Sequence, residues 1–369
     1  PPRSTPLYSS AASDVYKRQA CSSGQGSIGL GMLLLRAHQV DMVIAGGYDP
    51  VSEYVYGGFD SLRLVSEGKT RPFCRARDGM NIAEGYAVVV LEREQDAQRR
   101  GAGVAAYVRG HGESSDAHHL TQPHPQGEGA ARAVSIALRN AGIEAAEIDL
   151  VSAHATGTPG NDAAEYQAFR HSLGEGVSTK ATVAFKSHVG HTLGAAGATE
   201  VILSAMALRD QVVPPTANVS AADLEFDVGL NTGPPSAAPL RATLNTSLGF
   251  GGANSCIVLS PSGRSAEGAA TEPREVLITG VGVVAAGCIG NEAFLRRLGE
   301  SARAPVVADA GGVTDSELTH LLNARRVRRM SEYVKLTLAA TAEACRHAGI
   351  VDVQQFSADA AAILGTMHG

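Results

Sequence analysis

Apolar positions along this chain alternate between two periods. Residues 24–37 place Ile28, Leu30, Leu33 and Leu34 at helical spacing among small residues. DMVIAGGYDP at 41–50 is instead a short apolar run, read as a buried strand ending in a Gly-Gly turn. YAVVVLERE at 86–94 predicts a second strand followed by a charged turn. Residues 128–141 carry an amphipathic helical stripe and stop at Gly142, a suitable C-cap. IDLVSAHATGTPGND (148–162) reads as strand, loop and helix start. Residues 181–210 read as strand, loop and a long helix of alanines and aliphatics. Residues 241–260 predict two short strands around a glycine turn. Strands alternating with helices argue for a parallel or mixed sheet in a layered α/β fold.

The pattern breaks at 262–273, SGRSAEGAATEP, which is small, polar and linker-like. REVLITGVGVVAAG then starts a fresh strand and glycine turn at 274. Residues 331–350 form a strong amphipathic helical pattern capped by Gly349, and AAILGTMHG (361–369) is one more strand. Residues 1–19 have no periodicity and resemble translated adapter sequence, so they are set aside as a non-native or disordered leader.

Composition narrows the function classes. Across 369 residues the formal net charge is −6, so no overall basic field points to nucleic acid. No uninterrupted apolar run reaches membrane-spanning length. Cys21, Cys74, Cys256, Cys288 and Cys345 are odd in number and scattered, without a CxxC pair. That usage argues against a disulfide framework or zinc site and for a reducing, cytoplasmic setting.

Three residues carry the chemical signal. Cys21 stands just ahead of its predicted helix, where the helix dipole and free N–H groups favour a thiolate. Alone it would read more readily as an inert buried cysteine; Ser22, Ser23 and Gly24 shift the balance by allowing close approach of a substrate. His154 and His191 each follow a predicted strand, within loops rich in glycine and threonine. A lone histidine is more often structural. Together with Cys21, the two make a set suited to acyl chemistry through a thioester. A metal reading of His118, His119 and His124 is weaker, because adjacent histidines on a proline-rich loop make a poor tetrahedral site. GFGGAN (249–254) lacks the order and lysine of a phosphate loop and fits a turn presenting an oxyanion donor.

From Ala20 to about Ser260 the chain resembles the condensing enzymes of the β-ketoacyl-acyl carrier protein synthase II type. The resemblance rests on ACSSG, RPFCRARDGMNIAEG, DAHHLTQP, HATGTPGND, KSHVGHTLGAAGATE and NTSLGFGGAN, in that order. Departures are Ala155 and Gly157 in the histidine loop, and Leu248 where the family usually has an aromatic, which bears on acyl-pocket shape.

The resemblance implies an incomplete thiolase-like layered α-β-α fold. It also implies an acyltransferase catalysing decarboxylative Claisen condensation with malonyl carrier protein, in fatty acid or polyketide-type biosynthesis. Cys21 would take the acyl chain, and His154 and His191 would stabilise the enolate. Backbone N–H groups of Cys21 and Phe250 would form the oxyanion hole, with Phe250 also gating the acyl pocket. Lys186 would order the histidines, with Glu200 and Asp162 behind them. Thr121, Thr156 and Thr158 would line the phosphopantetheine tunnel. No free cofactor is implied, because phosphopantetheine arrives on the carrier; the family often binds a structural cation. Implied partners are acyl carrier protein and a homodimer mate, second ketosynthase or chain-length factor. A thiolase-type acyltransferase, a non-catalytic chain-length factor and an interaction module are the alternatives. A thiolase normally pairs its nucleophile with one histidine and a second cysteine, and a chain-length factor lacks the nucleophile.

Position along the chain adds an expectation about organisation. By resemblance the nucleophile of an intact ketosynthase lies over a hundred residues in, whereas residues 274–369 resemble how such enzymes begin. We therefore expect residues 20–106 to be the rest of an N-terminal half carrying the nucleophile and 107–261 a C-terminal half carrying the histidines. The linker 262–273 would lead to the N-terminal segment of a second ketosynthase at 274–369, as a fragment of a tandem pair. Such a chain is expected to be inactive alone, and strand 276–281 is a candidate to pair with the strands of residues 20–105.

Overall fold

A computed structural model describes residues 19–263, 281–285, 288–293, 295–296, 314, 316–330 and 332–350. The chain divides into two compact units, residues 1–269 and 270–369.

The first unit is a stack of layers. Its five-stranded sheet has the order β3-β9-β8-β4-β5, from Tyr107–Ser115, Ala253–Ser260, Thr243–Gly249, Leu150–Ser152 and Ala181–Val183. β8, β4 and β5 run parallel, while β9 is antiparallel to β3 and β8, so the sheet is mixed. Alternation along β9 assigns its faces. Cys256 and Val258 join one core with α4 (Glu128–Ala141) and α5 (Pro159–Leu173). Ile257 and Leu259 join the other, with α1 (Ser23–Arg36) and α7 (Ala196–Asp210). Beyond α1 and α7 lies a second sheet of two antiparallel strands, β1 (Met42–Asp49) and β2 (Gly85–Glu92). Its Ala45 and Ala87 share the core of α1 and α7. The layer order is therefore helices, sheet, helices, sheet.

Three short helices, α2 (Glu53–Ser61), α3 (Glu94–Arg99) and α6 (Lys186–Val189), and an antiparallel pair of two-residue strands, β6 (Val212–Val213) and β7 (Ser236–Ala237), complete the unit. Helix α4 stops at Gly142 in the left-handed region (φ 64°), as its sequence predicts. The glycine pair in β1 differs from expectation: the strand continues through Gly46 and Gly47 to Asp49 instead of turning. A Cβ on Gly47 would lie 2.1 Å from the Gly194 carbonyl oxygen, and one on Gly24 2.5 Å from the same atom. These glycines bring β1, the start of α1 and the loop after His191 into backbone contact.

In the second unit, Val284–Ala285 pairs with Cys288–Ile289, and a helix spans Glu332–His347. Gly282 packs against that helix, where a Cβ would lie 2.0 Å from the Ala340 carbonyl oxygen. Gly349 follows the helix at φ 73°, matching the expected cap. All of the strand expected at 276–281 except Val281, and all of that at 361–369, lie outside the described residues, as do 264–273 of the expected linker.

Candidate active site

The site gathers at the start of α1. Ala20–Ser22 form a single 3₁₀ turn leading into the helix, and Cys21 is buried on it. Ala20 has φ 49°, a left-handed conformation costly for alanine. Ser22 Oγ donates to the Gln19 carbonyl at 2.8 Å, and Ser247 Oγ of β8 donates to the Cys21 carbonyl at 3.0 Å, pinning the turn on both sides.

His191 meets this turn. Its Nε2 lies 3.1 Å from Cys21 Sγ. The short helix α6 ends at Gly190 (φ 74°), which returns the chain toward the site. His191 N–H donates to the Asn81 carbonyl at 2.7 Å, and the His191 carbonyl accepts from Ala83 N–H at 3.0 Å, so residues 81–83 hold the loop. His154 stands edge-on to His191, ring centroids 5.4 Å apart. Its loop leaves the end of β4, and Ala155 adopts φ 34°.

Lys186 sits beneath the histidines, 2% exposed. Its Nζ lies 3.1 Å from His154 Nδ1 and 2.5 Å from Glu200 Oε1. An ammonium has only donors, so it donates to both, which leaves the His154 proton on Nε2 as a donor. Both imidazoles are held well below the usual histidine range, first by burial and then by the Lys186 charge. They are therefore neutral at pH 7.

The thiol departs from the sequence expectation. Burial pushes Cys21 up to about 11, with Lys186 the main opposing influence, so the helix terminus does not make a resting thiolate. A neutral thiol beside a neutral imidazole is the ground state.

Sequence reasoning missed Glu165. This buried carboxylate of α5 accepts from His154 N–H and Ala155 N–H, both at 2.7 Å, and from Thr246 Oγ1 at 2.7 Å. It clamps the strained histidine loop to β8. Burial pushes Glu165 up to about 7 despite these donors. Its signal was a second carboxylate one helical turn after Asp162. Asp162 itself accepts from Phe73 N–H at 2.8 Å and Gly157 N–H at 3.1 Å, tying the loop to residue 73 rather than to Lys186.

The remaining predicted residues fall on two neighbouring loops. Phe250 opens the turn after β8 and packs on Phe59, centroids 5.3 Å apart. A Cβ on Gly249 would lie 2.5 Å from the Gln19 carbonyl oxygen, so this turn abuts the one carrying Cys21. Gly251 N–H donates to the Leu120 carbonyl at 2.7 Å, which places Thr121 beside the Phe250 turn. Thr156 and Thr158 are buried together, their hydroxyls 3.0 Å apart. Leu248 is buried against Ala130 and Ala168. The rings of His118 and His124 meet edge to face at 5.0 Å. Among the described residues no group of three or more His, Cys, Asp or Glu is placed to hold a metal ion. No helix among them is long and apolar enough to cross a membrane.

Residues 14–97 match the β-ketoacyl synthase N-terminal domain and 105–220 its C-terminal domain. The first match begins six residues ahead of Ala20. The 3-oxoacyl-[acyl-carrier-protein] synthase 2 of Mycobacterium tuberculosis is 40% identical over 246 residues, 64% of this chain and 58% of that protein. The ishigamide ketosynthase/chain length factor structure is 36% identical with a TM-score of 0.63, covering 66% of this chain and 60% of that one. A type II PKS acyl-carrier protein in complex with its ketosynthase bound to the hexaketide is 30% identical, TM-score 0.63, covering 66% and 62%. The chain thus spans less than two thirds of the relatives it matches. The two domain matches take in more than half of its residues and contain Cys21, His154 and His191, and on these grounds the chain belongs to the β-ketoacyl synthase family.

Proposed function

We propose that residues 19–263 carry a ketosynthase centre for decarboxylative Claisen condensation, used in fatty acid or polyketide-type synthesis. One observation carries the reading: a buried thiol 3.1 Å from one neutral imidazole, with a second neutral imidazole fixed as an Nε2–H donor by Lys186. Cys21 attacks an acyl thioester; its C–S bond forms as the carrier thiol leaves with the proton. The Nε2–H groups of His154 and His191 then hold the malonyl thioester oxygen while CO₂ departs, leaving an enolate. The enolate carbon bonds to the acyl carbon, the Cys21 C–S bond breaks, and the thiolate regains a proton. Backbone N–H groups of Cys21 and Phe250 stabilise the intervening oxyanion, a donor of this kind being worth roughly 3–4 kcal/mol. Thr121, Thr156 and Thr158 bind the pantetheine arm, and Phe250 gates the acyl pocket.

The substrates arrive on acyl carrier protein, and a second ketosynthase-like chain is the assembly partner. Free thiols at Cys21, Cys74, Cys256 and Cys345 suit a reducing cytoplasm. The test supplies acyl- and malonyl-carrier protein to the full chain and follows the half-reactions separately. Acyl adduct on Cys21 and CO₂ release from malonyl carrier support the reading. Thiolysis of a β-ketoacyl thioester instead would make the chain a thiolase, and neither half-reaction would make it a non-catalytic partner.

A further inference from the structure

The loops that carry His154 and His191 are built alike. Each histidine is followed by a residue other than glycine in the left-handed region, Ala155 at φ 34° and Leu193 at φ 51°. Such backbone is costly and persists only where its neighbours hold it. Glu165 holds the first loop by accepting the N–H groups of His154 and Ala155. The second loop has a carboxylate of its own. Asp49 Oδ2, at the end of β1, accepts the Gly194 N–H at 2.6 Å.

The other contacts of this loop are made by backbone and by packing. Asn81 and Ala83 bind both sides of the His191 peptide unit. Gly85 pairs with Asp49 across the sheet, and a Cβ on it would lie 2.9 Å from Thr192 Cβ. Leu193 is buried, and the Gly194 carbonyl lies against Gly47 and Gly24. Gly194 is thus held at its N–H by Asp49 and at its carbonyl by β1 and α1. Of these contacts only Asp49 brings a charge, and that charge reaches the thiol. Burial is the main cause raising Cys21; the Lys186 ammonium lowers it, and the half-buried Asp49 carboxylate raises it again, with Glu200 a smaller influence in the same direction. An amide in place of Asp49 would accept the same N–H without the charge.

We propose that Asp49 is a positioning residue for the Cys21–His191 pair: its carboxylate closes the Thr192–Gly194 turn against the start of α1, and its negative charge opposes the Lys186 ammonium at the thiol. Closure keeps His191 Nε2 at the sulfur, 3.1 Å away. The charge keeps Cys21 a thiol at rest although an ammonium lies in the same buried site. A thiolate is the form that oxidises and alkylates, so a thiol held neutral is protected between turnovers. The inference rests on the Cys21–His191 site of the reading above, and not on which acyl reaction the site performs.

The test alkylates the full chain with iodoacetamide between pH 7 and 10 and maps the adduct to Cys21. This readout needs no acyl carrier protein, so it can succeed where the carrier assays fail, and fail where they succeed. Asp49→Asn should shift the rate profile to lower pH by about half a unit or more, about threefold or more in rate at fixed pH. The Gly194 amide should exchange as slowly in that variant as in the wild type, because the amide oxygen still accepts. Asp49→Ala should speed Gly194 exchange roughly tenfold or more. Glu84→Gln removes a neighbouring carboxylate that meets the Val51 N–H in an exposed contact. It should leave both readouts at their wild-type values. An Asp49→Asn profile superimposed on that of the wild type would overturn the proposal and leave Asp49 a hydrogen-bond acceptor only. Slow Gly194 exchange in Asp49→Ala would overturn it equally, since the turn would then close without the carboxylate. Should Asp49→Ala not fold, the Asp49→Asn profile decides alone.

Discussion

At the residue scale, the distance between Cys21 and His191 matters less than their charge states. A thiol raised to about 11 is ionised in only about one molecule in ten thousand at pH 7. Alkylation of Cys21 by iodoacetamide should therefore speed up about tenfold per pH unit between pH 7 and 10. A rate independent of pH over that range would mean a preformed thiolate and would contradict the burial argument. Peptide mapping should find the adduct on Cys21 ahead of Cys256, since burial pushes Cys256 higher still. The two histidines should separate by reaction. Removal of either Nε2–H donor from the enolate should slow malonyl decarboxylation roughly a hundredfold or more. Only His191 touches the sulfur, so His191→Ala should also slow acylation of Cys21, whereas His154→Ala should leave it nearly unchanged. Equal acylation losses in both variants would show that the 3.1 Å contact plays no part in the transfer.

At the scale of elements, glycine decides how closely layers approach. Gly47→Ala would drive a methyl to 2.1 Å from the Gly194 carbonyl, with no flexible side chain to yield. We expect a loss of about 1–3 kcal/mol or more, together with a disturbed Cys21–His191 contact. Gly57 in α2 has nothing within 4 Å, and Gly57→Ala should add about 0.5–1 kcal/mol through helix propensity and chain entropy. Chemical denaturation of the two variants checks both signs. The same property explains which elements could be read from sequence. Helices α4 and α7 announce themselves because alanines and aliphatics mark their buried faces; in α1 the predicted stripe misleads, since Leu33 is 52% exposed and the buried face is largely Gly24, Gly26, Gly29 and Gly31 with Ile28, Met32 and Leu35. Strand β3, Tyr107–Ser115, does not announce itself either: Gly110 and Gly112 take the inward positions where aliphatics would be. A Cβ at either would lie within 2.2 Å of a carbonyl oxygen of α4, so the period of two is written in glycine. Cys21, His154 and His191 were legible because their loops carry distinctive small residues. Glu165 was not, because it acts through the backbone N–H groups of His154 and Ala155, which only the folded loop turns toward it.

At the scale of the whole molecule, the buried site couples folding to pH through groups that oppose one another. His154 and His191 titrate well below 6.5 when folded, so below pH 6.5 the unfolded chain holds two protons that the native state refuses. Each such group makes stability rise with pH, by about 1.4 kcal/mol per unit. Glu165 and Glu200 are raised by burial to about 7 from the ordinary value of 4.5. Between those limits the native state holds two protons that the unfolded chain has lost, and each makes stability fall as pH rises. From about pH 5 to 6.5 the two pairs cancel, and these four groups leave the stability of the wild type nearly flat. Below 4.5 the unfolded carboxylates also protonate, the cancellation ends, and stability should drop steeply with acid. Single substitutions expose the hidden slopes. Glu165→Gln removes one native-state proton, so its stability should rise by about 1.4 kcal/mol per unit from pH 5 to 6.5. His154→Gln removes one unfolded-state proton, so its stability should fall by about the same amount over the same range. The slopes are read by denaturant titration at several pH values and are independent of how far each substitution lowers stability overall. Slopes of the same sign in both variants would refute the opposition between the histidines and Glu165.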